Sequence, residues 1–280
     1  MKIALFPNST KPQAEEKAQE IARYLRNKGI ALFAEAKEAE GLSCHPLTAD
    51  NIKEIDLIIA LGGDGTILRI CHTMPEIDAP ILAINLGGFG FLADIPAAEA
   101  LSSIDQVLAG NYVIEEHIMM EGLSAQGERC YALNEFVIHR GQNHCLIDLD
   151  IYVDGIYLNT FGADGIIIAT PTGSTAYSLS AGGPILTPHV QAYVLTPISA
   201  HTISNRPIVF MPKDKIEIRY ISPGKEVEVT ADGYKTFKMA FQDTYTIQPS
   251  TRTFKLILLP NHNFAMVLRE KLGWARKLKM

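Results

Sequence analysis

The stretch LIIALGGDGTIL, residues 57–68, decides how the chain is read. Five apolar residues run directly into Gly62-Gly63-Asp64-Gly65-Thr66, and apolar spacing then resumes. A near-continuous apolar run is the pattern of a strand covered on both faces of a parallel sheet. The residues after it can open a helix, so the glycines and the carboxylate fall at a strand-to-helix turn. In such sheets ligands sit just beyond the carboxyl ends of the strands. Glycines let a ligand approach the backbone, and their N–H groups ahead of a helix suit an anion such as phosphate. Asp64 has two readings here. It is a cap in a tight turn, or an acid that takes a proton from an attacking hydroxyl or helps to hold Mg²⁺. The motif alone divides evenly between them.

Working outward, KIALF (residues 2–6) reads as a strand, and Gln13–Lys28 as a helix with Ala14, Ala18, Ile21, Ala22 and Leu25 on one face and Gly29 as its stop. IALFA, IDLIIAL and APILAINL add three strands, GTILRICHTM a helix, and AAEALSSIDQVLAG a helix ending at Gly110. Alternating elements of this kind predict a Rossmann-like α/β domain over residues 1–112. After Asn111 the pattern changes to short strands divided by turn residues: YALNEFVIHRG, LIDLDIYVDGIYLNT, DGIIIATP, DKIEIRYI, KEVEVTADGYKTF, DTYTIQP and FKLILL. Asp154-Gly155 and Asp232-Gly233 read as hairpin turns. A β-rich domain over residues 113–260, a β-sandwich, is expected. Residues 261–280 have helical spacing and are expected to pack back on the first domain with their cations in solvent; a basic membrane-surface helix is the alternative.

Three further places can carry chemistry. GGFGF, Gly87–Phe91, ends another strand, so a second glycine loop borders the same sheet edge. Neither glycine loop has the spacing of a P-loop or of G-x-G-x-x-G. The stretch ADGIIIATPTGSTAYSLSAGGP, Ala163–Pro184, crowds Thr170, Thr172, Ser174, Thr175, Tyr177, Ser178 and Ser180 into eleven positions, shaped by prolines and glycines. Such a loop offers hydroxyls and amides to a hydroxyl- and phosphate-rich ligand; a solvated loop is the plainer reading. A nucleophile elbow is not spelled out, since G-x-S-x-G is absent. Asn134-Glu135 interrupts a strand and can read a sugar diol or a base edge, although by itself it is better explained as an edge-strand polar pair. The histidines lack paired ligand spacing for a metal, and His201 has no role by itself.

Composition sets the bounds. The chain has 280 residues, 47% of them apolar and 20% charged, with a net charge of −6. That describes an ordinary globular protein of about two domains and argues against a broad nucleic-acid footprint. No apolar run reaches bilayer length, and MKIALFPNSTKP lacks a signal-peptide cleavage pattern, so a first strand is expected there. The cysteines, Cys44, Cys71, Cys130 and Cys145, have no CxxC spacing and are expected as buried thiols in a reducing cytosol.

Taken together, LGGDGTILR, INLGGFGFLAD, LNEFVIHR, DGIIIATPTGSTAYSLSAGGP and PISAHTISNRPIVF closely resemble the bacterial NAD kinase (ATP-NAD kinase) family, in the family's own order and across nearly the whole chain. GGDGT is shared with diacylglycerol and sphingosine lipid kinases; TPTGSTAYSLS with the upstream Asn-Glu pair is specific. The resemblance implies transfer of the γ-phosphate of ATP to the 2′-hydroxyl of the adenosine ribose of NAD, with a divalent metal, Mg²⁺, carried mainly by the ATP phosphates. It implies an N-terminal α/β domain, a C-terminal β-sandwich, a site between them, a cytoplasmic homodimer or homotetramer, and no nucleic-acid or membrane partner. Motif for motif, Asp64 is the general base, with Gly63 and Gly65 beside the transferring phosphate and Arg69 at a basic position near it. Phe91 and Leu92 pack on the adenine side. Asn134 and Glu135 hold the second ribose or the adenine edge, and Asp164 the nicotinamide end. Thr172, Thr175, Ala176, Tyr177, Ser178, Leu179 and Ser180 line the dinucleotide, and His201 reaches in from a neighbouring subunit. Two departures, Phe161-Gly162-Ala163 before one Asp-Gly and Tyr234 after the other, bear on the choice between NAD and NADH.

Overall fold

The computed structural model describes residues 1–87, 90–201, 205–260 and 262–274. It divides into two compact units, Met1–Glu116 with the chain from Phe254 on, and His117–Thr253.

The first unit contains β1 (Lys2–Pro7), α1 (Pro12–Asn27), β2 (Ala31–Ala34), α2 (Ala36–Leu42), β3 (His45–Pro46), β4 (Leu57–Gly62), α3 (Asp64–Thr73), β5 (Ile81–Asn85), β6 (Ile95–Pro96) and α4 (Ala100–Leu108). The strands pair in parallel in the order β3-β2-β1-β4-β5-β6. β4 lies at the centre and is buried at every position, which is why its sequence is apolar without alternation. Pro12 opens α1, where its missing N–H costs nothing, and Ala14, Ala18, Ile21, Ala22 and Leu25 enter the core with Ile3, Leu5, Ile59 and Ile84. α2 and β3 were not legible: α2 buries only Ala39 and Leu42, too few to set a period.

The second unit is formed by two antiparallel sheets. Its chain runs from His117 within β7 (Val113–Leu123) through β8 (Arg129–Ala132), β9 (Glu135–His139), β10 (Ile147–Val153), β11 (Ile156–Ala163), β12 (Gly165–Ala169), α5 (Tyr177–Ser180), β13 (Tyr193–Ile198), β14 (Ile208–Phe210), β15 (Ile216–Tyr220), β16 (Val227–Ala231) and β17 (Lys235–Met239) to Thr253 within β18 (Thr244–Leu258). The end of β18, from Phe254 on, belongs to the first unit and pairs Leu256 with Ile81 of β5. One sheet has the order β14-β13-β12-β9-β16-β17, and the other joins β11, β10, β15 and the first half of β18. Phe136, Ile138, Ile166, Ile168 and Val229 of the first interleave with Leu149, Ile151, Ile216, Ile218 and Ile247 of the second, giving a β-sandwich core. The other face of β9 and β12 carries Val137, Ile167 and Ala169, packed with Ala181 just after α5. Glu135 shares that outer face by the two-residue period. Asp154-Gly155 and Asp232-Gly233 form the expected turns with positive φ at both residues, 50° and 77° in one and 50° and 69° in the other.

The structure corrects several expectations. DTYTIQP and FKLILL belong to one 15-residue strand, β18, and β7, β13 and β14 were not foreseen. Pro197 lies in β13 beyond the stretch Tyr193–Leu195 that pairs with β14, so its missing N–H breaks no bond of that pairing. YALNEFVIHRG is two strands, broken at Leu133-Asn134. Of the cysteines only Cys130 is buried; Cys44 and Cys71 are half-buried, Cys145 is exposed, and no disulfide joins them. After β18 the chain forms α6 (Phe264–Lys271), capped by Asn263, whose Oδ1 accepts the N–H of Ala265 at 2.9 Å. Of the expected helix over 261–280, residues 261 and 275–280 lie outside the described residues. Among the described residues no helix is long and apolar enough to cross a membrane.

Candidate active site

Asp64 is the first residue of α3, directly beyond the carboxyl end of β4. Its carboxylate accepts three consecutive backbone N–H groups from the loop after β5: Phe91 at 2.7 Å on Oδ2, Leu92 at 3.1 Å and Ala93 at 3.0 Å on Oδ1. The Asn85 amide at the end of β5 donates to the Ala93 carbonyl at 2.8 Å and fixes that loop. Gly90 is the residue that lets the carboxylate in, since a Cβ there would stand 2.5 Å from Asp64 Oδ1. Burial pushes the Asp64 carboxyl up; the three amides and the charge of Lys271 pull the other way, and the balance is upward. A carboxylate has about four lone-pair sites, so three amide bonds leave room for one more proton donor.

Gly63 and Gly65 flank Asp64, with Gly65 exposed at the helix start. Phe91 and Leu92 meet Asp64 through their main chain, and the Leu92 side chain is buried. Arg69 points elsewhere: it pairs with Glu35 and donates to the Pro7 carbonyl at 3.3 Å. Of the second glycine loop, residues 88 and 89 lie outside the described residues.

In the second unit the break at Leu133-Asn134 has a specific cause. Asp232, buried at the β16–β17 turn, accepts the N–H of Leu133 at 2.9 Å, of Asn134 at 2.8 Å and of Glu135 at 2.9 Å. Thr170 then takes the place of a strand neighbour: its N–H donates to the Asn134 carbonyl at 2.8 Å and its hydroxyl to the Leu133 carbonyl at 2.5 Å. Gly173 presses on the same turn, where a Cβ would lie 2.1 Å from the Asn134 carbonyl oxygen. Glu135 is 8% exposed, and its Oε2 has no hydrogen-bond partner. Burial, then the nearby Asp232 charge, push its carboxyl up to about 8, against the pull of the Tyr177 N–H. At neutral pH Glu135 is therefore largely a neutral acid able to donate as well as accept.

The hydroxyls of the TPTGSTAYSLS loop divide by direction. Thr170, Ser174 and Ser178 are fully buried: Ser174 donates to the Pro171 carbonyl at 2.6 Å, and Ser178 shares a 2.8 Å bond with Thr196. Ser178 thus turns its hydroxyl into the fold rather than toward a ligand. Thr172 meets His117 Nδ1 at 2.9 Å and Thr175 donates to the Thr172 carbonyl at 3.0 Å, both half-buried, while Tyr177 and Ser180 are exposed and Ala176 and Leu179 half-buried. Asp164 and His201 stand apart from this group. β9 and β12 pair Glu135 with Ala169 and His139 with Gly165, so Asp164 is at the far end of the ladder, bonded to Arg140 Nε at 2.9 Å. His201 lies at that end too, its N–H on the Gly162 carbonyl at 3.0 Å. Sequence reasoning missed Gly90, Asn85 and Asp232; Asp232 was legible only as a turn residue, because its three partners are about a hundred positions away.

Among the described residues no cluster of three or more His, Cys, Asp or Glu side chains gathers to hold a metal ion. A carboxylate bounded by glycines at the carboxyl end of a central parallel strand, with one acceptor site left, can take the proton of a hydroxyl brought to it. The ATP-NAD kinase N-terminal domain model matches residues 3–112 and the ATP-NAD kinase C-terminal domain model residues 133–259. The chain belongs to the ATP-NAD kinase family. It is 51% identical over 278 residues to an NAD kinase of Protochlamydia amoebophila, covering 99% of this chain and 100% of that one. It is 37% identical over 276 residues to one of Moorella thermoacetica, covering 97% and 89%. Among solved structures it resembles yeast NADH kinase complexed with NADH, with a TM-score of 0.92 and 26% identity over 100% of this chain and 89% of that one. It also resembles an NAD kinase from Archaeoglobus fulgidus in complex with ATP, with a TM-score of 0.78 and 25% identity over 98% and 99%.

Proposed function

We propose that this chain transfers the γ-phosphate of ATP to the 2′-hydroxyl of the adenosine ribose of NAD, with Asp64 as the general base. ATP-dependent phosphorylation of NAD is the activity of the family, and the observation that supports the assignment to Asp64 is its carboxylate held by three amides with one acceptor site to spare. A ribose hydroxyl is a poor nucleophile at neutral pH, and a carboxylate whose proton affinity is raised by burial is better matched to accept its proton. Gly63 and Gly65 offer backbone N–H groups to phosphate. Phe91 and Leu92 flank the adenine side.

In the same reading residues 1–112 form the N-terminal domain and residues 113–260 the dinucleotide-binding domain. Asn134 and Glu135 hold a ribose diol or the adenine edge, Glu135 through its unpartnered Oε2. Thr172, Thr175, Ala176, Tyr177 and Ser180 line the dinucleotide by side chain, Ser178 and Leu179 by main chain. Asp164, with His201 of a neighbouring subunit, takes the nicotinamide end. Arg69 reaches phosphate only by leaving Glu35. A divalent metal, magnesium, would be carried by the ATP phosphates, where it would supply charge neutralisation; no step assigned to these residues runs through it. The working form is a cytoplasmic homodimer or homotetramer.

The test is NADP formation from NAD, ATP and Mg²⁺ by the purified chain beside Asp64→Asn. Turnover that collapses in the variant while NAD still binds supports the reading; full turnover in Asp64→Asn removes Asp64 as the base.

A further inference from the structure

The segment after β18 returns to the loop that holds Asp64. His262 Nδ1 and Asp94 Oδ2 are 2.6 Å apart, and Asp94 directly follows Ala93, the third amide on the Asp64 carboxylate. Both partners are largely covered, with side-chain exposures of 14% for His262 and 26% for Asp94. His262 is itself anchored: Asn263 caps α6, which buries Val267, and Lys271 in its last turn acts by charge on Asp64. The loop 91–94 is thereby gripped from two sides, by Asn85 on the Ala93 carbonyl and by His262 on Asp94.

We propose that His262 is a positioning residue for Asp64: by clamping Asp94, its imidazole holds the Phe91, Leu92 and Ala93 amides on the Asp64 carboxylate. The inference rests on the reading of Asp64 as base, but the clamp itself is a property of the free protein. Two carboxylates act on the ring, Asp94 from the loop after β5 and Glu115 from β7; the Asp94 hydrogen bond raises the imidazole's proton affinity against the effect of burial. The raised direction means that the clamp is tightest with His262 protonated and loosens as pH rises through the raised value. Loss of the clamp leaves the carboxylate free to shift by a fraction of an ångström, which costs rate more than affinity.

The test compares the natural chain with His262→Ala, His262→Gln and Asp94→Asn, by kcat and KM for NAD across about pH 6 to 9 and by backbone amide exchange at residues 91–93 without ligand. His262→Ala is expected to lower kcat roughly 10-fold with KM within about 2-fold, and to speed exchange at Leu92 and Ala93. His262→Gln, which retains a donor but does not titrate, is expected to recover most of kcat and to lose the alkaline decline due to His262. Asp94→Asn and His262→Ala are expected to be non-additive when combined. Unchanged exchange and kcat in His262→Ala overturn the clamp, as does an alkaline decline that persists undiminished in His262→Gln. If His262→Ala does not fold, the exchange and pH profile of His262→Gln decide alone. Full turnover in Asp64→Asn would instead overturn the base, so the two failures are distinct.

Discussion

Asp232 Oδ1 accepts the backbone N–H of Glu135 at 2.9 Å, and after burial the Asp232 charge is the next cause that pushes the Glu135 carboxyl up to about 8. One side chain thus shapes the turn and adds to the effect of burial in keeping the acid on it protonated. Asp64 repeats the device in the other unit, where three consecutive amides from residues 91–93 converge on a single carboxylate.

The Glu135 carboxyl predicts a pH dependence of stability. Its folded value of about 8 lies above the usual 4.5, so the folded protein binds this proton more tightly than the unfolded chain. The contribution is complete below about 4.5 and is lost as pH rises through about 8. Glu135→Gln should remove this loss, flattening the decline between about pH 5 and 8.5 by on the order of 3 kcal/mol. Urea unfolding of both proteins at the two pH values checks it; equal slopes would refute the raised value.

Removing Asp232 strands three amides at the break between β8 and β9. Asp232→Ala should cost on the order of 3 kcal/mol, because each buried donor left unpaired costs about 1–3 kcal/mol and water relieves part of it. The loss should appear in the urea midpoint, with affinity for NAD falling in proportion to what remains folded or by more. A change under about 0.5 kcal/mol would show that the turn holds itself.

Gly90→Ala brings a methyl group to 2.5 Å from Asp64 Oδ1. The loop or the carboxylate must give way. Overpacking of this kind typically costs about 1–3 kcal/mol, while the displaced base should lower kcat roughly 10-fold or more. Steady-state NADP formation beside a thermal melt separates the two, and wild-type kcat in a folded variant would contradict the placement.

For Asp64→Asn, loss of the base should lower kcat roughly 100-fold or more, with NAD affinity changed little. Isothermal titration with NAD and rapid-mix NADP assays on the same preparation measure both. Equal losses in binding and rate would instead assign Asp64 to ground-state binding.

The parallel sheet was legible because β1, β4 and β5 are nearly continuous apolar runs ending at turn residues, a pattern buried strands impose locally. β7 was not, since its first half is largely exposed and mixes Glu115, Glu116 and His117 with Val113 and Ile114. In the site, GGDGT and the TPTGSTAYSLS loop announced themselves by composition, and their resemblance to one family supplied roles. Direction was not legible: Ser178 and Ser180 are two positions apart, yet one is fully buried on Thr196 and the other exposed.

By itself the sequence determined the alternating α/β half, the β-rich half, the turns at Asp154-Gly155 and Asp232-Gly233, and the placement of Asp64 at a strand end. Those depend on periodicity and on φ preferences within a few residues. Only the tertiary structure decided that Asp64 receives the amides of residues 91–93, that Asp232 receives those of residues 133–135, and that His262 reaches Asp94. Each of these joins residues roughly 30 to 170 positions apart in the chain, and hydrogen bonds at that range leave no periodic trace because they form only when packing brings the segments together.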